Sequence, residues 1–278
     1  MSLKYSILGY PLKHTMSPPI HERLFRLAGV NDFEYIISEI PADKLESSIG
    51  MLNSLNGYNI TIPYKVEIIQ YLDGLDISAQ RYNSVNCVVK KDGRNIGYNT
   101  DCYGFLRALE AGNASLGGKV LQLGCGGVGR MMAIETVLHG GSLTVAVRKG
   151  YEYEAENTID AIKLLVPEAD VCYTTLDSIN GSYDLLVNST PVGMFPNTDN
   201  CPVSEDVIRN CRCVFDAIYN PEKTKLMKIA EDNGITAIGG MAMLVWQAVV
   251  AHEIWDGSKY KDEDIAGIIS EMHELMNQ

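Results

Sequence analysis

The sequence predicts an α/β protein of two domains. Strand and helix signals alternate along nearly the whole chain, and its 278 residues exceed what one hydrophobic core usually serves. A near-continuous apolar strand at 119–123 also runs straight into a glycine-rich turn. Hydrophobic residues make up 46% and charged residues 21%, with no low-complexity run, so the chain can fill two cores and is not disordered. Lys and Arg number 23 against 35 Asp and Glu, a formal charge of −12 with no basic block, which argues against nucleic acid or anionic membrane as partners. The seven cysteines, at 87, 102, 125, 172, 201, 211 and 213, form no C-x-x-C pair and no metal-ligand spacing. Free thiols in a reducing cytoplasm are expected, with no metal. The N-terminus has no charged region followed by a long apolar stretch, and no run reaches about 18 unbroken apolar residues, so neither secretion nor a membrane span is expected.

The elements follow in order. "KYSILG" (4–9) is a strand, and "SPPIHERLFRLAG" (17–29) a helix with Ser17 as N-cap, Pro18 at its first position and Gly29 after its end. "FEYIISEI" (33–40) is the second strand, and "PADKLESSIGMLNSLNG" (41–57) a helix closed by Gly57. "YNITI" (58–62) is a strand, and "PYKVEIIQYLDG" (63–74) a helix opened by Pro63 and stopped at Gly74. "VNCVVKKDGRNIGYN" (85–99) is a hairpin around Asp92 and Gly93, "DCYGFLRALEAG" (101–112) a helix, and the small residues that follow, to 118, are the expected hinge between domains. "KVLQLG" (119–124) is the buried strand, then come the turn, a helix at 131–141 and the strand "SLTVAV" (142–147). "YDLLVNSTPVGM" (183–194) and "CVFDAIYNP" (213–221) are further strand-then-loop units, whose carboxyl ends are where an open α/β sheet takes ligands. Cys211 and Cys213 alternate on the buried side of the latter strand.

Within "GCGGVGR", Gly124, Gly126 and Gly129 make G-x-G-x-x-G in the required strand-turn-helix setting, with Gly127 and Val128 completing the turn. Glycines let backbone N–H groups approach a pyrophosphate, whose charge meets the positive end of the following helix. A dinucleotide is therefore expected. A strand that serves NAD usually ends in Asp or Glu for the ribose 2′-hydroxyl, whereas a 2′-phosphate calls for a cation. Here Arg148 and Lys149 follow the strand, and residues 141–151 contain no Asp or Glu, so the expected cofactor is NADP.

Nicotinamide chemistry also needs a group that exchanges a proton with the carbonyl oxygen. Candidates in the first hundred residues or so are Lys65, Asp101, His14 and His21. Lys65 falls in the first turn of the helix predicted from Pro63, where the dipole disfavours a second positive charge and eases release of its proton. Asp101 opens a helix where the same dipole favours the anion, so it is placed to hold the lysine, although an N-cap and a solvated cation would share these positions. His21 reads as a residue of an amphipathic helix and His14 as one that orders its loop.

With these segments in hand, the chain resembles the shikimate dehydrogenase family nearly end to end. The blocks that carry the resemblance are "GYPLKHTMSPPIHE" (9–22), "NITIPYK" (59–65), "VNCV" (85–88), "NTDCYGF" (99–105), "GCGGVGR" (124–130), "NSTPVGM" (188–194), "DAIYNPEKT" (216–224) and "GGMAMLVWQA" (239–248). The resemblance implies an N-terminal α/β substrate domain, 1–101, completed by C-terminal helices, 241–278. It implies a Rossmann-type NADP-binding domain at 102–240, the two separated by a cleft. It further implies reversible reduction of 3-dehydroshikimate to shikimate, with Lys65 as acid/base and Asp101 as its partner. Thr15 and Ser17 fall on the hydroxyls that bind the substrate carboxylate, and Tyr219 on a tyrosine nearby. Asn59, Thr61, Asn86 and Gln247 fall on positions that reach the ring hydroxyls and adjacent groups. Ile218 and Gly240 match positions lining the nicotinamide, and Thr190 lies in a cofactor-facing block. The chain departs from the family at Thr15, where the first serine of H-S-x-S-P is usual, at Cys87, where threonine is usual, and at "VRKG", where N-R-T is frequent. Quinate or aminoshikimate is the alternative substrate, and a non-catalytic NADP- or shikimate-binding protein the alternative class. A small-molecule partner and a monomer or homodimer are expected.

Overall fold

A computed structural model describes residues 2–12 and 15–277. His14, expected to order its loop, lies outside the described residues. The chain divides into two compact units, Met1–Gly104 with Val245–Gln278, and Phe105–Leu244. The divisions fall inside the helices Asp101–Ala111 and Gly240–Trp255, so the expected hinge at 112–118 lies within the second unit.

The first unit begins with β1 (Leu3–Gly9), α1 (Ser17–Leu27), β2 (Phe33–Glu39), α2 (Leu45–Leu52), β3 (Gly57–Ile60), β4 (Gly74–Leu75), α3 (Ile77–Tyr82), β5 (Cys87–Lys91), β6 (Arg94–Tyr98) and α4 (Asp101–Ala111). Its six-stranded sheet runs β2-β1-β3-β5-β6-β4, parallel at β2-β1-β3 and β6-β4 and antiparallel on both sides of β5. The β5-β6 hairpin turns at Asp92 and Gly93, both with positive φ, as the two-residue loop requires. A core of Leu8, Leu45, Leu52, Tyr58, Ile60, Tyr64, Ile68 and Val88 lies under this sheet.

Four local expectations are corrected here. Ser17 is the first helical residue and buried; the N-cap is Met16, with no side-chain cap bond. Gly57 and Gly74 open strands rather than closing helices. The helix expected at 63–74 is instead a run of turns followed by a 3₁₀ segment, Glu67–Tyr71. The carbonyl of Lys65 accepts from the Val85 N–H at 2.7 Å, and Ile69 N–H turns to the Val66 carbonyl, so the i to i+4 ladder cannot propagate.

The second unit adds β7 (Lys119–Leu123), α5 (Gly127–Leu138), β8 (Ser142–Val147), α6 (Glu152–Leu165), β9 (Val171–Thr175), β10 (Leu185–Asn188), α7 (Glu205–Arg209), β11 (Cys213–Asp216), α8 (Lys225–Asp232) and β12 (Thr236–Gly239). The sheet is parallel throughout in the order β12-β11-β10-β7-β8-β9, which is the doubly wound order that reverses direction beside its first strand. Parallel strands covered on both faces need continuous apolar runs, and Val120, Leu121, Leu123, Val145, Leu186 and Val214 are fully buried. The helix after the glycine turn starts at Gly127, four residues before the first residue expected of it, because the turn itself is its opening.

The chain closes with α9 (Gly240–Trp255) and α10 (Asp262–Met276). In the first unit, α9 brings His252 and Trp255 against His21 and Phe25 of α1, where the two imidazoles meet at 3.0 Å, Nδ1 of His21 to Nε2 of His252. All seven cysteines are free. Among the described residues, no helix is long and apolar enough to cross a membrane.

Candidate active site

The first unit gathers Lys65, Asp101, Asn86 and Gln247. Lys65 leaves the turn after β3, and Asp101 is the first residue of α4, its N–H bonded to the Asn99 side chain at 3.1 Å. Lys65 Nζ donates to Asp101 Oδ2 at 2.7 Å, with the two side chains 24% and 15% exposed, so the pair is largely shielded yet reachable. Asn86 Nδ2 donates to Asp101 Oδ1 at 2.8 Å and to Thr100 Oγ1 at 2.9 Å, with Gln247 Oε1 at 3.3 Å. Asn86 Oδ1 in turn accepts from the Thr100 N–H at 2.6 Å. One carboxylate oxygen is thus fixed by an amide and the other aimed at an ammonium. Because Lys65 stands outside any helix, the dipole argument made for it fails; it is placed by Tyr64, buried with its hydroxyl on the Ile40 carbonyl, and by Val85.

Beside this network, Asn59 of β3 accepts from the Tyr35 hydroxyl at 2.8 Å and leans its amide on the Asn86 carbonyl at 3.4 Å. Ser17 faces the Tyr35 phenol and receives Thr15 Oγ1 on its N–H at 3.2 Å. A Thr15 oxygen that already accepts from Ser17 has its own proton free to donate. Ser17 stands at the positive end of α1, whose first turn holds no acid, so this corner favours an anion. Thr61 follows β3, its N–H on the Leu8 carbonyl. Tyr35, Asn99 and Thr100 escaped the sequence reading; the last two lie in the quoted N-T-D block, while Tyr35 was only one apolar position of a strand.

The second unit holds the other candidates. Gly124 has φ +85, and Gly126 caps α5. A Cβ on Gly129 would sit 2.5 Å from Ser189 Oγ, whereas one on Gly126 or Gly127 would meet nothing within 4 Å. Gly129 is small for packing; the other two keep an open cradle beside Val128, which fits a pyrophosphate drawn to the helix N-terminus. Gln122 ties the turn from beneath, donating to the Gly124 and Gly129 carbonyls at 2.9 and 2.7 Å. Arg148 and Lys149 are exposed directly after β8, the Arg148 guanidinium 4.5 Å from the centre of the Tyr151 ring. At the ends of β10 and β11, Thr190 bonds Asn188, and the Ile218 N–H bonds Asp216. Gly240 donates to the Ile218 carbonyl at 3.1 Å, and a Cβ there would fall 2.2 Å from the Ala217 carbonyl oxygen. Tyr219 is half-buried, which raises its phenol above the usual range.

A doubly wound parallel sheet with a glycine cradle, in a chain whose other unit carries a shielded lysine–carboxylate pair, defines a dinucleotide-dependent α/β oxidoreductase. Residues 7–88 match the family model for the shikimate dehydrogenase substrate binding domain. The chain is 35% identical to the shikimate dehydrogenase (NADP(+)) of Carboxydothermus hydrogenoformans, over 90% of each chain. A crystal structure of shikimate dehydrogenase in complex with NADP+ superposes with a TM-score of 0.89 at 30% identity, covering 97% of this chain and 95% of that one. The Thermus thermophilus enzyme in complex with NADP(H) and shikimate gives 0.86 at 28% identity, covering 97% and 99%. The chain belongs to the shikimate dehydrogenase family.

Proposed function

We propose that this chain is an NADP-dependent shikimate dehydrogenase that interconverts 3-dehydroshikimate and shikimate on the route to chorismate and the aromatic amino acids. The observation that carries the reading is the 2.7 Å contact between Lys65 Nζ and Asp101 Oδ2, in the unit that contains the match to the substrate binding domain. Residues 1–101 with 241–278 serve the substrate, and 102–240 the cofactor. Thr15 and Ser17 hold the substrate carboxylate, Asn59, Thr61, Asn86 and Gln247 hold the ring hydroxyls and adjacent groups, and Tyr219 is a further substrate-binding residue.

Gly124, Gly126, Gly127, Val128 and Gly129 cradle the pyrophosphate, Arg148 and Lys149 meet the 2′-phosphate, and Thr190, Ile218 and Gly240 serve the nicotinamide end. Bound NADPH supplies a hydride to the ketone carbon. As negative charge grows on the ketone oxygen, the Lys65 ammonium donates a proton to it, and the resulting amine stays on Asp101 until solvent reprotonates it. In the reverse direction neutral Lys65 takes the hydroxyl proton. Asp101 remains an anion, oriented by Asn86. The protein works in the cytoplasm on small molecules, as a monomer or homodimer.

An absorbance assay of NADP reduction with purified protein tests the reading, with shikimate against quinate and NADP against NAD. Shikimate with NADP should give the highest kcat/KM; a tenfold or greater advantage for quinate, about 1.4 kcal/mol, would overturn the substrate assignment. Thr15 sharpens the comparison, since its extra methyl group is worth ~1–3 kcal/mol in a tight pocket. Lys65→Ala should lower kcat by about 10² to 10⁴. Activity near wild type would assign the proton to another group.

A further inference from the structure

We infer that Asp216 is a positioning residue for the nicotinamide end of the cofactor site, its carboxylate setting the direction of a hydrogen-bond chain that locks Thr190 and Ile218 in place. The inference rests on the NADP reading above.

Asp216 ends β11 and is 0% exposed, yet among the described residues no cation pairs with it. Its partners all donate: Asn188 Nδ2 at 3.0 Å and the Ile218 N–H at 3.1 Å to Oδ1, and Thr224 Oγ1 at 2.7 Å to Oδ2. Asn188 lies opposite it on β10. Because the acceptor-only carboxylate takes the Asn188 side-chain N–H, the Asn188 Oδ1 must face the other way. There it accepts from the Thr190 N–H at 3.1 Å and the Thr190 hydroxyl at 2.7 Å. Thr190 Oγ1 then takes the Val192 N–H. Ile218 is clamped at both ends, its N–H by Asp216 and its carbonyl by the Gly240 N–H. Thr224 Oγ1 accepts from the Met227 N–H and gives its own proton to Asp216, which as an anion can only accept.

A neutral amide in place of the carboxylate must turn an N–H₂ towards one of these donors. In one orientation it breaks the bonds to Asn188 and Ile218; in the other it takes the second lone pair of Thr224 Oγ1, and the bonds to Asn188 and Ile218 remain but lose the charge that strengthens them. The fold itself has other ties: the Ala217 N–H bonds the Asn188 carbonyl and the Phe195 N–H the Asn220 carbonyl. A buried anion without a cation is unfavourable for stability, so its presence points to what it orients.

Protonation should have the same effect as the amide. Burial pushes the Asp216 carboxyl up to about 6, against the pull of its three donors. The charged or titratable groups near it are the Cys201 thiol, itself raised by burial, and Lys225, whose ammonium reaches the Asp199 carbonyl. The raised value means that Asp216 takes up a proton more readily folded than unfolded. Its contribution to stability therefore grows as pH falls from about 6 towards 3.8, while ordering of the cofactor loops is lost over the same window. A purely structural role would not produce these opposite signs.

The test is calorimetric titration of the intact protein with NADP+ and with 2′-phospho-ADP-ribose, which lacks the nicotinamide, from pH 8 to 5. For wild type, Kd for NADP+ should rise about tenfold through the acid limb beyond any change in the fragment, the order of one lost charge-assisted hydrogen bond. Asp216→Asn should start about tenfold weaker for NADP+ at pH 7.5, lack that extra limb, and bind the fragment as wild type does. Thr224→Val, which removes one donor to the anion, should move the limb to higher pH. Wild-type affinity for NADP+ in Asp216→Asn, equal loss for the fragment, or an unmoved limb in Thr224→Val would overturn the inference. The last of these decides alone should Asp216→Asn not fold. Wild type that binds neither ligand at any pH would defeat the NADP reading instead.

Discussion

Asn86 shows how much of the geometry around the Lys65–Asp101 pair rests on one uncharged side chain. Its amide nitrogen holds Asp101 Oδ1 and Thr100 Oγ1, and its oxygen takes the Thr100 N–H at the start of α4. With Asn86 2% exposed, truncation leaves Asp101 Oδ1 and the Thr100 N–H without their partner in a place water reaches poorly. Asn86→Ala should therefore lower unfolding free energy by ~1–3 kcal/mol in urea denaturation. The turnover number should fall as well, because Asp101 would keep only its contact with Lys65 and lose its orientation. Lost stability with an unchanged kcat would mean that Asn86 packs the site without aligning it. The sequence showed Asn86 only through its place in the V-N-C-V block; its three-way sharing among Thr100, Asp101 and Gln247 needs residues up to 161 positions apart and has no local signal.

At the scale of elements, the glycine turn between β7 and α5 contains two kinds of glycine that one motif does not distinguish. Gly129 meets the Ser189 hydroxyl and Gly124 carbonyl where a Cβ would go, while Gly126 faces open space with an ordinary φ of −64. Gly126→Ala should leave stability within about 0.5 kcal/mol of wild type yet weaken NADP+ binding by about tenfold or more. Gly129→Ala should destabilise the fold, seen as a lower urea midpoint. If Gly126→Ala binds NADP+ normally, the cradle is not where the pyrophosphate lies. This half of the fold was legible because buried parallel strands write continuous apolar runs and the turn writes its glycines directly into the sequence. The segment 63–74 was not legible. Its composition suits a helix, and the Val85 N–H that takes the Lys65 carbonyl comes from a loop twenty residues on. Lys65 reached its expected partner by tertiary contacts, without the helix from which the expectation was argued.

Over the molecule as a whole, acid should act on the two units in opposite senses. His21 and His252 are both 0% exposed and touch through their ring nitrogens. Burial lowers the proton affinity of each; for His21 the neighbouring His252 adds to the effect, and for His252 the carboxylate of Asp256, 3.8 Å from Nδ1, opposes it. Their folded values lie below the ordinary 6.5, so the unfolded chain binds protons first. The stability they allow is complete above about pH 6.5 and declines below it, by up to ~1.4 kcal/mol per pH unit for each histidine. Asp216, in the other unit, is raised and acts in the reverse direction. The units can be read apart because the only tryptophans, Trp246 and Trp255, both lie in the first one, with Trp255 5.2 Å from the His21 ring. Urea unfolding followed by tryptophan fluorescence should show a lower midpoint at pH 5.5 than at 7.5. The double substitution His21→Phe with His252→Leu should flatten that difference, even though it alters the packing around Phe25 and Trp255. A wild-type midpoint that stays level, or a double variant that falls as steeply, would place the acid sensitivity elsewhere than in this pair.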